Sequence, residues 1–134
     1  MKFLIGALVL LAVTNAWVRL APSDPDRWHQ ILPNPESKRF ANGELRVLAN
    51  SADRFAALNE IALRTDRTKQ LTGALDDGAI TFVTRTKVWG FPDYTTVWIN
   101  GDDLVIYARA RFGLSDSGVN AARIANWLQQ MSGT

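Results

Sequence analysis

The segment that most limits the possible folds is residues 79–112, where three strand-like runs follow one another. They read AITFVTRTK (79–87), YTTVWIN (94–100) and LVIYARARF (104–112), rich in β-branched and aromatic side chains. Asn100-Gly101 stands between the second and the third. Asn-Gly in that place marks a tight hairpin, because the turn that matches strand twist needs positive φ at its central residues. VWGFPD, between the first two, is long enough for a wide hairpin loop. A chain carrying this block builds an antiparallel sheet, whose faces can be read by parity. In the third run Leu104, Ile106, Ala108, Ala110 and Phe112 share one face; Val105, Tyr107, Arg109 and Arg111 share the other.

The flanks supply what covers the apolar face. ELRVLA (44–49) is a short strand candidate. Asn50 or Ser51 can cap a helix after it, in which Phe55, Leu58, Ile61, Ala62 and Leu63 keep helical spacing. Leu75-Asp76-Asp77-Gly78 is a turn. A second helix is predicted over 116–131, where Ile124, Trp127, Leu128 and Met131 follow the i, i+3, i+4, i+7 rule. The order is strand, helix, three antiparallel strands, helix. It predicts an α+β fold: an antiparallel sheet of about four strands with two helices packed on one face.

Ahead of this domain lies an apolar stretch of 16 residues, 3 to 18, with Lys2 before it and Arg19 after it. A spanning helix needs about 20 residues, within a range of about 17–25, and a cleavable secretory core needs about 7–15. The length falls between the two. Trp17 suits a membrane interface, and Arg19 can snorkel and lengthen the span. Trp17 and Val18 continue the apolar surface past Thr14-Asn15-Ala16, which makes a poor cleavage site. The expectation is a signal anchor over 1–20, single-pass in the inner membrane, with the rest outside the cytoplasm (periplasmic). Secretion after cleavage is the alternative. Residues 21–42, with four prolines between Pro22 and Pro35, read as a linker. It either docks through Trp28 and Ile31 or stays a solvated tether. A single domain over 43–134 follows.

Composition excludes several chemistries. There is no cysteine, so disulfides and thiolate metal sites are out. His29 is the one histidine and lies in the linker, so no metal site or cofactor is expected. No GxSxG elbow, phosphate loop or GxGxxG occurs. Of the 15 basic residues, Lys2 and Arg19 belong to the N-terminal segment, which leaves 13 against 13 acidic ones. That balance gives no ground for nucleic-acid binding.

One stretch concentrates chemistry: ARARFGLSDSGVNAAR, residues 108–123. Arg109 and Arg111 stand side by side, ~7 Å apart along a strand. Gly113 permits a turn, and Ser115 or Asp116 can cap the helix. The helix-start amides, Ser115, Asn120 and Arg123 could converge on an anion. The same residues are also ordinary strand-to-helix punctuation, with the arginines paired to Asp93 or Asp116. A second stretch, 84–96, presents Trp89, Phe91 and Tyr94 on a loop, as a recognition surface or folded back over the core.

From about residue 46 to 128 the chain resembles the bacterial family known as domain of unknown function (DUF) 1499. The matching residues are Arg85, the Gly90-Phe91-Pro92-Asp93 loop, Arg109 with Arg111, Gly113, Ser115-Asp116, Gly118, Asn120 and Arg123. Ala108 and Ala110 stand where many relatives place serines, and the relatives' cysteine-containing N-terminal stretch is missing. APSDPDRWH looks like the juxtamembrane segment of short, single-span members. The resemblance implies envelope association and no known activity.

The function expected is a non-catalytic, membrane-anchored envelope domain. It would bind an anionic small molecule or an envelope protein through Arg85, Arg109, Arg111, Asn120 and Arg123, with Asp93, Ser115 and Asp116 beside them. One alternative is an enzyme in which Asp93 or Asp116 acts as acid–base and the arginines hold a phosphate or carboxylate. Another is a structural subunit of an envelope complex, with an apolar patch at Trp89 and Phe91.

Overall fold

The computed structural model describes residues 1–50 and 52–133. Along the chain lie α1 (Lys2–Leu20), α2 (Pro25–Trp28), β1 (Lys38–Phe40), β2 (Gly43–Ala49), α3 (Ala52–Arg64), β3 (Thr68–Ala74), β4 (Ala79–Arg85), β5 (Pro92–Asn100), β6 (Asp103–Ala110) and α4 (Val119–Ser132). The strands form one sheet in the order β1-β2-β6-β5-β4-β3, and every neighbouring pair is antiparallel. The α+β class and the antiparallel sheet are as expected, and Asn100 pairs with Asp103 across the Asn-Gly hairpin.

The element count is corrected. The sheet has six strands rather than about four, and the described residues hold four helices, of which α1 and the single-turn α2 lie before the sheet. The additional strands are the two edges. β1 is three exposed residues, KRF, inside the stretch read as linker. β3, TKQLTGA, is mostly polar, and its register against β4 shifts between Gln70 and Thr72. An edge strand can be held by ladder bonds to one neighbour without burying much side chain, so it carries little hydrophobic alternation. α2 forms because Pro25 presets φ at the first helical position and Asp24 accepts the Asp26 N–H.

Both faces of the sheet are covered. On one, α3 supplies Phe55, Leu58, Ile61 and Ala62 and α4 supplies Ile124 and Trp127, packed on Ile80, Phe82, Val97, Leu104, Ile106 and Ala108. Each fully buried large side chain here stabilises the fold by roughly 1.5–3 kcal/mol. The Trp127 indole N–H also finds a partner, donating to Thr65 Oγ1 at 2.9 Å. The β6 side chains divide by parity as the sequence implied.

The other face carries Leu45, Ala79, Trp98 and Val105, with Leu32, Val47 and Tyr107 against them. Here the proline-rich segment lies down as a strap. Trp28 stacks on Tyr94 with ring centroids 4.1 Å apart. Ser23 and Tyr94 hydroxyls are 2.8 Å apart, and His29 Nδ1 meets Thr81 Oγ1 at 2.8 Å. Of the two residues expected to dock, Trp28 does and Ile31 stays exposed; Leu32 packs instead.

α1 is a helix of 19 residues with mean hydropathy 1.9, long and apolar enough to cross a membrane by length and composition. At about 1.5 Å per residue it reaches about 28 Å. Its last turns rest on the domain: Val18 and Ala21 are buried, and Trp17 meets Phe112 edge to face at 5.8 Å. Ser51, one of the two expected caps of α3, lies outside the described residues.

Candidate functional site

The sheet divides the expected site residues into three groups. Period-two alternation sends Asp93 (β5) to the helix-covered face and Arg109 (β6) to the strap-covered face. Arg85, at the end of β4, stands at the foot of α1.

The helix-side group is Asp93, Asp116, Asn120 and Arg123. α4 starts at Val119 rather than at 116, behind Gly118 with φ +79. Asp116 still caps it from outside. Its Oδ1 accepts the Gly118 N–H at 2.9 Å, and its Oδ2 accepts the Asn120 N–H at 3.0 Å and the Asn120 side-chain amide at 2.8 Å. Asn120 Oδ1 accepts from Arg123, and Arg123 Nη2 donates to Asp93 Oδ2 at 3.1 Å. Asn120 is 0% exposed and Asp93 3%. This is an internally satisfied relay from helix start to sheet. Ser115 stands outside it, exposed, with its Oγ accepting the Ser117 N–H. Burial pushes the Asp93 carboxyl above its ordinary value; Arg123 opposes that shift and nearby Asp116 adds to it. Beside the relay lies a recess of about 310 Å3, walled by Phe91 and Phe112, whose charged lining residues are Asp93 and Asp116 alone. Its field disfavours an anion.

The strap-side group is Arg109 and Arg111. Arg109 is 4% exposed and makes none of the ion pairs among the described residues. Its guanidinium donates to Thr96 Oγ1 at 2.9 Å, to the Tyr107 carbonyl at 3.0 Å and to the Trp28 carbonyl. It also lies 4.4 Å over the Tyr107 ring. Nε is buried and unpartnered. Burial lowers its pKa to about 10, so it stays cationic at neutral pH. Arg111 donates to the Pro22 carbonyl at 2.9 Å and to Tyr94 Oη at 3.3 Å. Both arginines are therefore spent on the strap, with backbone carbonyls as acceptors.

Arg85 belongs to a different assembly. Its Nη1 donates to the Gly90 carbonyl at 3.0 Å, and it lines a recess of about 540 Å3 with Arg19, Arg67, Lys69 and Lys87. Five cations line this recess and no carboxylate does. None of the five appears in an ion pair among the described residues. Arg67 sits in the left-handed region at φ +59, its Nε donating to the Arg85 carbonyl at 3.0 Å. A non-glycine residue held there costs of order 1–3 kcal/mol, and Asn34 and Ser117 share that region.

The recess is floored by the 86–91 loop, which is stiff. Thr86 pairs with Phe91 through two hydrogen bonds of 2.9 Å, one backbone and one from Phe91 N–H to Thr86 Oγ1. Gly90 has φ +70, and a Cβ there would lie 3.0 Å from Arg19 Cγ; glycine lets the loop fold flat against α1. The loop is clasped to α1. Asn15 Nδ2 donates to the Trp89 carbonyl at 2.9 Å, Arg19 Nη2 to the Val88 carbonyl at 2.7 Å, and Arg19 Nε to Asn15 Oδ1 at 2.9 Å.

Sequence reasoning found Arg85 only by resemblance, and it missed Arg67, Lys69, Lys87 and the Asn15–Arg19 clasp. Polar residues four apart near the end of an apolar helix were the available signal for the clasp. Among the described residues no three His, Asp or Glu side chains gather closely enough to ligate a metal ion.

A family model described as a protein of unknown function (DUF1499) matches residues 18–131, from the last turn of α1 through the strap to the end of α4. No curated protein matches the chain closely enough to count as a relative.

Proposed function

The chain belongs to the DUF1499 family of proteins of unknown function, and on that premise we propose that it is a single-span, membrane-anchored envelope domain that binds an anionic group without catalysis, in the recess around Arg85. The observation that carries this reading is the composition of that recess: five cations, no carboxylate and no ion pair, at the foot of an apolar helix. Retention of α1 is supported by its contacts. Asn15, Trp17, Val18 and Arg19 all touch the domain, and cleavage after Ala16 would remove Asn15, the partner of the Trp89 carbonyl and of Arg19. Lys2 at the cytoplasmic end would leave residues 21–134 outside the cytoplasm, in the periplasm.

Arg109, Arg111, Asn120 and Arg123 serve this reading as framework rather than as ligand contacts. They hold the strap and the α4 start, which fix the sheet end from which Arg85 projects. An acid–base role for Asp93 has its raised pKa in its favour. Against it, Asp93 Oδ2 is committed to Arg123, and both Asp116 oxygens are filled by N–H donors.

The test is native mass spectrometry of the full chain purified in mild detergent. A bound anionic molecule is expected, with occupancy several-fold lower in the Lys69→Gln/Lys87→Gln chain. Both lysines are exposed, so unfolding of that variant should match the parent. Equal occupancy in both chains, or no bound anion, would overturn the reading.

A further inference from the structure

We propose that the anionic group is the phosphate of an anionic membrane lipid, and that the domain sits on the bilayer surface with the 86–91 loop at the boundary between headgroups and hydrocarbon. The inference rests on the anchored, anion-binding reading above and names its ligand class. Three independent features of the molecule converge on it.

The first is position. Arg19, the residue that lines the cationic recess from α1, is next to last in the helix. With a span of about 28 Å against a hydrocarbon core of about 30 Å, that residue lies at the headgroup level. A cation there meets lipid phosphate before it meets any solute.

The second is an amphipathic pair of cavities. Next to the cationic recess, α1 and the same loop enclose an apolar crevice of about 240 Å3, lined by Leu11, Val18, Trp89 and Phe91 with Thr14 and Asn15. Arg19 and Gly90 wall the one, Asn15, Trp89 and Phe91 the other. A cationic and an apolar cavity sharing one wall suit a ligand with a charged head and a hydrocarbon tail. A free phosphate or a small carboxylate would use only the first.

The third is the exposed apolar rim around them. Val88 is 70% exposed, Trp89 47% and Leu114 95%. They stand at the same end of the sheet, because β4 and β6 end there and β5 begins there. Trp17, also exposed, stands beside them through its contact with Phe112. Tryptophan and aliphatic side chains flanked by Lys and Arg are what an interfacial segment carries. At the opposite end of the sheet the β3–β4 turn is Leu75-Asp76-Asp77-Gly78, with acidic side chains in place of basic ones. The cationic recess and the apolar rim thus open at the foot of α1 and the β3–β4 carboxylates lie away from it, which turns those cations toward anionic lipid headgroups.

The chain has no cysteine, so a single introduced thiol reports one place. The full chain carrying Val88→Cys with a nitroxide is placed in nanodiscs of phosphatidylcholine, or of phosphatidylcholine and phosphatidylglycerol in equal parts. The nitroxide is probed with a water-borne relaxing agent. A label at Asp76→Cys serves as the distal control. The expected result is a label at Val88 shielded several-fold more in the anionic discs, and a label at Asp76 in water throughout. Adding Lys69→Gln/Lys87→Gln should weaken the lipid-dependent part by about fivefold for each cation removed.

A second arm adds inorganic phosphate to the unlabelled chain in phosphatidylcholine discs and follows thermal unfolding. If Val88 is equally open to water in both lipids while phosphate stabilises the parent but not the double variant, the recess takes a free anion. That result overturns the lipid proposal and leaves the anion-binding function standing. If neither lipid nor phosphate has an effect, both fall.

Discussion

Arg109 and Arg123 lie inside the fold, and Arg67, Lys69, Arg85 and Lys87 lie around a recess open to solvent. The inner pair is used up: Arg123 on Asp93 and Asn120, Arg109 on two backbone carbonyls and a threonine hydroxyl. The outer set has no carboxylate among its lining residues, and Arg67 and Arg85 each give one N–H to a backbone carbonyl where Arg109 gives three hydrogen bonds inside the fold. The inner arginines fall within the sequence block richest in recognisable spacing, residues 108–123, and the outer cations are scattered over the turn before β3, β3 itself, β4 and the loop after it. Dense motif spacing here marks residues that the fold consumes. Availability for a ligand depends on how the acceptors around each cation are shared out, which is a property of packing.

The comparison breaks most sharply at Arg123. Arg123→Ala strands the Asp93 carboxylate, 3% exposed, without its counter-charge and leaves Asn120 Oδ1 without a donor. Removing one partner of a buried ion pair costs about 3–5 kcal/mol. Denaturant unfolding of the full chain should register a loss of that size. A loss below about 1 kcal/mol would mean that water reaches Asp93 and that the relay is not sealed.

Arg109 should give a smaller effect. Arg109→Met keeps the apolar stem and removes a buried charge, which regains solvation free energy while giving up charged hydrogen bonds of about 1.5–3 kcal/mol. A net loss of about 1–2 kcal/mol is expected. The sharper readout is local. Without the bond to the Trp28 carbonyl, the strap loses one of its anchors, so amide exchange over residues 22–32 should speed up while that of β4–β6 holds. Unchanged exchange in the strap would mean that the Trp28–Tyr94 stack alone secures it.

The sequence made some of this legible for physical reasons. β4, β5 and β6 were readable because a buried strand must alternate and because Asn-Gly has one common structural use. Helices α3 and α4 were readable from the spacing of Phe55, Leu58 and Ile61 and of Ile124, Trp127 and Leu128. Parity in β6 already set Arg109 and Arg111 on the face away from the helices, and so away from Arg123 on α4. What stayed hidden lacks a period. Strands β1 and β3 are edges with exposed side chains. The strap is held by the particular stacking of Trp28 on Tyr94 and by carbonyls, which no pattern encodes. The cationic recess gathers residues from α1, β3, β4 and a loop, and only tertiary packing makes them neighbours.

The smallest effect is a slope, and it sharpens what sealed means for the inner group. Burial raises the Asp93 carboxyl above its ordinary value in spite of Arg123, so the native state takes up a proton at a pH where the unfolded chain, near 3.9, does not. Where the native state holds more protons, stability falls as pH rises. Asp93 therefore contributes stability that is fully present below about pH 4 and is lost as pH climbs through its raised native value. Asp93→Asn removes this titration. At low pH, where Asp93 is already neutral, the variant should melt close to the parent, and its melting temperature should decline less than that of the parent between about pH 4 and 7. The opposite difference in slope would mean that attraction to Arg123 outweighs burial. Asp93 would then be an ordinary ion-pair partner of Arg123, and the contrast between inner and outer charges would shrink to one of degree.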